Sequence, residues 1–227
     1  MPLNQLDFDI SGYRIISLTE TWCERDIDSL PRPFDVYSCY CTNATRGATR
    51  GRASGGILVL VHRSIRVDKV LFKANWAIFL LITVNSLRLV WCTLYRREKV
   101  NFEEFLEEWD NVYEQIITGC GDLPIIVGGD QNARIGLHNN FLDEILGGER
   151  LHPERTSLDS FSDSKGVRWA GSLESKSLIV LNGRTFSDSP AQYTFVGAMG
   201  KSVIDLVWVG EKAIDLINDL VVLPQGA

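Results

Sequence analysis

With 227 residues, 45% of them hydrophobic and 23% charged, the chain has the make-up of a globular protein with a sizeable core, and one domain over 1–227 is the default. No apolar run approaches the roughly 20 residues of a membrane helix, and the N-terminus MPLNQLDFDISG has neither a basic nor an apolar signal region, so an intracellular protein, nuclear or cytoplasmic and not secreted, is expected. The formal charge of −6 does not in itself suggest a nucleic-acid binder, and five cysteines without a C-x-x-C pair encode neither a disulfide framework nor a zinc site; buried, reduced thiols are expected.

Strands and helices interleave along the chain without repeats or low-complexity linkers. Strands are predicted at Tyr13–Leu18, Phe34–Tyr40, Ile57–Val61, Ile78–Val84 and Leu87–Leu94, then at Pro124–Val127, Leu178–Leu181, Tyr193–Val196 and Val203–Val209. Ile57–Val61 and Ile78–Val84 are apolar almost throughout, which requires cover on both faces. Asn85-Ser86 is a short hairpin signal. A helix is predicted from Phe102 to about Ile117, with Phe102, Phe105, Leu106, Trp109, Val112, Tyr113, Ile116 and Ile117 on one face and five glutamates on the other. Asn101 with Glu104 resembles a capping box, and Gly119 suits the helix end. A second helix is expected over Val167–Lys176, and Trp169 and Phe186 read as core. Paired sheets with helices outside fit this order.

Three segments carry candidate chemistry. GGDQNAR (128–134) follows the apolar run Ile125–Val127, so Asp130 and Asn132 sit at the mouth of a buried strand, where Gly128 and Gly129 leave room for close approach; a plain polar turn is the alternative. Asp205 lies within VIDLVWV (203–209), where a strand buries it at a cost of several kcal/mol unless a partner compensates; it either orients a basic group or is held by backbone N–H groups. Glu20, in ISLTETW (16–22), ends a strand, and a carboxylate there suits a hard cation such as magnesium. A basic stretch, Arg46, Arg50, Arg52, Arg63, Arg66, Lys69 and Lys73 against Asp68 alone, is followed by Arg96, Arg97 and Lys99; it suits phosphate contacts or a solvated strand edge.

Together, LTETW, GGDQNAR and SVIDLVWV resemble, in order and spacing, the metal-binding Glu, G-D-x-N and late I-D elements of the endonuclease/exonuclease/phosphatase superfamily. RGRASGGILVLV (50–61), LNGRT (181–185) and YTFVG (193–197) look like its branch of non-LTR retrotransposon endonuclease domains, and the resemblance runs from about Tyr13 to Val209. It implies an α/β fold, a four-layer α/β/β/α sandwich of two packed β-sheets with helices outside. By the same resemblance Glu20 would hold Mg2+ (or Mn2+), Asp130 would orient or deprotonate the attacking water, and Asn132 would bond near the phosphate. Asp205 would orient a basic group and Tyr95, in CTLYR, would contact the phosphate, although Arg96 follows it where the family has Pro or Asn. Arg46, Arg50, Arg52 and Asn182 would bind the substrate, expected to be DNA, and the implied activity is Mg-dependent nicking.

The chain departs from that pattern. Its end, LPQGA, lacks the family's S-D-H element, and His62, His138 and His152 lie in other contexts. The strand bearing the family's first Asn has no counterpart before Tyr13, and Gln131 stands where G-D-F-N has an apolar residue. A copy truncated at both ends and lacking the first and last family strands is therefore expected, with activity weak or lost. The alternatives are a non-catalytic remnant that binds nucleic acid or protein through an exposed edge, and a phosphoinositide or other phosphodiester phosphatase of the same fold.

Overall fold

A segment such as ILVLV can be apolar at every position only if both faces of its strand are covered. A computed structural model describes residues 12–25, 32, 34–46, 52–139, 151–198 and 200–223. The chain divides into two compact units, Met1–Arg97 and Glu98–Ala227, and has a mixed α/β make-up.

In the first unit, β1 (Ile15–Thr19), β2 (Tyr37–Thr42) and β3 (Ile57–His62) form an antiparallel sheet in the order β1-β3-β2. The next three strands, β4 (Arg66–Ala74), β5 (Ala77–Val84) and β6 (Leu87–Leu94), form an antiparallel meander. Ile57, Val59 and Val61 of β3 pack against Ile78, Leu80 and Ile82 of β5, with Tyr95 in the same cluster. Leu58 and Leu60 face the other way, into a cluster with Ile16, Phe34 and Tyr37. Thus β3 is covered on both sides. The turn Asn85-Ser86 has φ of 47° and 72°, the left-handed pair of a type I′ hairpin.

The meander includes a strand that alternation alone does not reveal. Register shifts in β4 between Val67 and Lys69 and between Val70 and Phe72 reset its alternation, and exposed Arg66, Lys69 and Lys73 give it the charged character of a protected edge. The segment predicted as a strand from Phe34 begins as a 3-10 turn, Phe34–Val36, before β2.

In the second unit, β7 (Ile125–Asp130), β8 (Leu178–Val180) and β11 (Asp205–Gly210) form an antiparallel sheet in the order β7-β11-β8. A short hairpin, β9 (Phe195–Gly197) with β10 (Gly200–Ser202), replaces the single strand predicted over Tyr193–Val196. Helix α1 (Phe102–Cys120) is capped by the Asn101 side chain on the Glu103 N–H and stops at Gly121, φ 71°, two residues after the predicted glycine. Helix α2 (Ser164–Glu174) starts three residues earlier than predicted, because Asp163 caps it. Trp169 of α2 meets Trp109 of α1 with ring centroids 5.1 Å apart, while Ile179, Leu181, Val209 and Ile214 form a separate cluster.

Two core expectations need correction. Phe186 is 90% exposed, because the 3-10 turn Phe186–Asp188 buries Asp188 and turns the ring outward. Of the five cysteines, expected to be buried, only Cys92 is buried and the other four are half-buried. Among the described residues, no helix is long and apolar enough to cross a membrane.

Ser86 occupies a left-handed position that costs a non-glycine residue about 1 kcal/mol. Ser86→Gly should therefore stabilise the protein by up to about that amount, seen as a higher urea midpoint with an unchanged slope.

Candidate active site

Asp130 closes β7, and its Cα partner across the ladder is Asp205, the first residue of β11. Direct partners on antiparallel strands share a face, so two carboxylates stand side by side where like charges destabilise a sheet. Both are half-buried; Asp205 is thus less enclosed than VIDLVWV suggests, because it opens its strand. The chain then turns sharply at Asn132, φ 44°, whose backbone N–H donates to Asp130 Oδ1 (3.0 Å) and whose Nδ2 donates to Oδ2 (3.2 Å). Asn132 therefore fixes the Asp130 carboxylate from two directions.

Gln131 between them is fully buried, at 0% exposure. Its Oε1 accepts from the indole N–H groups of Trp169 (2.6 Å) and Trp208 (2.9 Å), its Nε2 donates to the Leu206 carbonyl (2.9 Å), and its backbone N–H donates to Ile204 O (2.9 Å). An apolar residue here would strand two indole donors, which is why this chain carries an amide. Further on, Gly166 of α2 lies against the Arg134 carbonyl so closely that a Cβ would collide with it, and the Asp163 N–H donates to the same carbonyl (3.1 Å). Of the two preceding glycines, Gly128 makes no close approach: a Cβ there would meet Val207 at an ordinary 3.7 Å.

The start of β11 is held by side chains that sequence reasoning did not single out. Thr194 Oγ1 accepts from both Ile204 N and Asp205 N (3.0 Å each), and Asp159 accepts from Val203 N (3.1 Å) while ion-paired to Arg134. Burial pushes the Asp159 pKa up, but the bonds from Arg134 and from backbone N–H groups outweigh it and leave the group below its usual value. Asn182, expected at the substrate, is only 2% exposed. Its Oδ1 accepts from Val207 N (2.9 Å) and its Nδ2 donates to Asp205 O (3.3 Å), so its amide holds the strand rather than meeting a substrate. Under this loop, burial and the neighbouring Arg184 charge lower Arg155 to about 10, and burial lowers Arg184 likewise to about 10; both stay cationic at neutral pH.

The first unit carries the remaining residues that the sequence singles out. Glu20 is exposed at the end of β1, and Tyr95 donates its hydroxyl to Glu20 Oε1 (2.6 Å). Glu20 and Trp22 both have φ 54°, an unfavourable conformation for such side chains and of the kind that collects at functional sites. Their segment is held by Thr21 N to Gly56 O (3.2 Å) and Trp22 N to Gly55 O (3.0 Å). Arg52 lies over the Trp22 ring, 3.0 Å from its centroid, and Arg46 is paired through its guanidinium with Glu24. Arg96 is 1% exposed and so is no surface phosphate contact. Arg50 lies outside the described residues. His62 bonds Ser64 in the first unit (2.8 Å), and His138 and His152 are exposed in the second.

Magnesium typically takes one or two protein carboxylates together with water and substrate phosphate. Glu20, an exposed hard-oxygen donor with one oxygen held by Tyr95, fits that pattern, whereas among the described residues no three His, Cys, Asp or Glu side chains converge into a closed cage.

Comparison with known proteins rests on structure alone, since no protein-family model and no curated protein sequence matches the chain. The 3'-5' exonuclease NExo from Neisseria meningitidis superposes at TM-score 0.52, with 14% identity over 92% of this chain and 81% of that one. A truncated Caenorhabditis elegans TDP2 superposes at TM-score 0.50, with 13% identity over 87% of this chain and 70% of that one. The chain has the endonuclease/exonuclease/phosphatase fold. The endonuclease domain of TRAS1, a telomere-specific non-LTR retrotransposon, superposes at TM-score 0.49, with 18% identity over 80% of this chain and 72% of that one. At these identities what is shared is the endonuclease/exonuclease/phosphatase fold.

Gln131→Leu should leave the Trp169 and Trp208 N–H groups unpaired, at about 1–3 kcal/mol for each buried group. The expected result is a fall in unfolding free energy of at least about 2 kcal/mol by urea titration; a wild-type midpoint would show that the amide is dispensable.

Proposed function

We propose that the chain is a metal-dependent phosphodiester hydrolase whose substrate is DNA, of the kind found in the endonuclease domains of non-LTR retrotransposons. The observation that carries this reading is the pairing of Asp130 with Asp205 across the β7–β11 ladder. Two carboxylates opposite each other at the end of a strand pair, one of them aimed by Asn132, are suited to accepting a proton and orienting a reacting group.

In this reading Asp130 orients the attacking water and takes its proton as the water oxygen bonds to phosphorus; the bond from phosphorus to the leaving ester oxygen breaks, and that oxygen departs with a proton taken from solvent. Asn132 keeps both carboxylate oxygens aimed, and Thr194 and Asn182 fix the strand from which Asp205 projects. Glu20 would hold Mg2+ or Mn2+, and Tyr95 positions its carboxylate. When bound, the cation supplies Lewis-acid stabilisation of the charge that builds on the phosphate. Trp22 with Arg52, and Arg46 where it exchanges Glu24 for phosphate, would grip the nucleic-acid backbone. The NExo structure bound to a product DNA hairpin, described there as a 3' phosphatase, is in keeping with a nucleic-acid substrate for this fold.

Nicking of supercoiled plasmid with and without EDTA tests the proposal. Asp130→Ala should lower the nicking rate by about 10²-fold or more, as loss of a general base does, and Glu20→Ala should abolish the response to added magnesium. Nicking that survives in Asp130→Ala, or phosphate release from a phosphoinositide without any nicking, would overturn the assignment.

A further inference from the structure

At the mouth of the candidate site the β7–β11 ladder comes to its end. Asp130 and Asp205 are its outermost Cα partners, and Gln131 N donates to Ile204 O (2.9 Å) one step further out. Like charges on direct partners push their strands apart, and a ladder frays first at its end. Further out the two segments are tied through side chains. Arg134, four residues after Asp130, donates from Nε to Asp159 Oδ2 (2.9 Å) and from Nη2 to Oδ1 (2.5 Å). The same Oδ2 accepts from Val203 N (3.1 Å), two residues before Asp205, and Oδ1 accepts from Phe161 N (3.3 Å).

Each member of this tie is itself fixed. The Arg134 guanidinium lies over the Phe161 ring, 4.5 Å from its centroid, and the Asp159 N–H donates to Ser157 Oγ (3.1 Å). Burial opposes the Asp159 charge, but the bonds from Arg134 and from the Val203 and Phe161 N–H groups outweigh it, so the pair is ionised at neutral pH. A two-bond arginine–carboxylate pair fixes orientation as well as distance. Asn132 and Gln131 hold Asp130 from its own side of the ladder, and the Arg134–Asp159 pair carries that rigidity across to the segment that leads into Asp205.

We propose that Arg134 and Asp159 are positioning residues: their ion pair, acting through Val203, sets the separation of Asp130 and Asp205 at which the two carboxylates work. The catalytic consequence rests on the phosphodiester hydrolase reading, and neither residue is given a contact with the substrate. Asp159→Asn breaks the tie with little change in shape. Whichever way the new amide turns, its NH2 faces donors that a carboxylate oxygen accepted from, either Arg134 Nε with Val203 N or Arg134 Nη2 with Phe161 N.

The test is plasmid nicking over a range of DNA concentration, well below the melting temperature of each variant, together with amide hydrogen exchange. Asp159→Asn should lower kcat by about 10- to 100-fold, as a small misplacement of reacting groups does, and leave KM unchanged. Arg134→Met, whose side chain is a third exposed, carries the same prediction where Asp159→Asn fails to fold. The double variant should be no slower than the slower single one, because the two residues act as a unit. In an Asp205→Asn background, which already lacks the charge to be placed, Asp159→Asn should change kcat by no more than about twofold. Exchange at Val203 or Phe161 should quicken in Asp159→Asn, while Val127 and Trp208, paired inside the ladder, keep their protection. Variants that melt lower but nick at the wild-type rate, a penalty of the same size in the Asp205→Asn background, or unchanged exchange at both amides would overturn the proposal. Quickened exchange in a protein whose nicking is indifferent to Asp130→Ala would keep the tie and remove the hydrolase reading.

Discussion

The candidate active site depends on one buried amide. Gln131 joins three elements: β7, which it directly follows, β11 through the Leu206 carbonyl and the Trp208 indole, and α2 through the Trp169 indole. A buried amide stabilises only when its groups are matched, and both ends of this one are matched. The residues on either side inherit that rigidity. Asp130 and Asn132 stand on a turn that cannot rotate without breaking bonds to both neighbours, and the Asp130–Asp205 juxtaposition is kept by the same links.

The first unit reaches a similar result through backbone contact. Glu20 and Trp22 adopt left-handed conformations that isolated residues avoid, and consecutive carbonyls of Gly55 and Gly56 accept the N–H groups that keep them there. Tyr95 supplies the second restraint on the Glu20 carboxylate. In both units a strained or repulsive feature is held by well-satisfied hydrogen bonds around it. That combination is what a preorganised site requires, because groups already in place need not reorganise as charge develops.

Much of this was legible in the sequence. The two-sided apolar runs at Ile57 and Ile78, the Asn85-Ser86 hairpin and the amphipathic helix from Phe102 all follow from periodicity and turn chemistry. The order of LTETW, GGDQNAR and SVIDLVWV pointed to the fold that the structural comparisons show. Other features depend on contacts that a linear pattern does not carry. Strand β4 escaped because two bulges reset its alternation, and Phe186 read as core because an apolar residue looks buried unless the turn that rotates it outward is known. The resemblance of LNGRT implies a substrate ligand at Asn182, whereas long-range pairing commits its amide to β11. Gln131 looked like a mild departure, and only the two tryptophans brought to it in three dimensions give it a purpose.

The central claim is that the opposed carboxylates serve catalysis. Asp205→Asn tests it most directly, since the substitution removes one charge with almost no change in shape. Paired measurement of the urea midpoint and the single-turnover nicking rate should show the midpoint kept while the rate falls, by about tenfold or more as for loss of an orienting charge. A variant that folds as wild type does and nicks as fast would contradict the account.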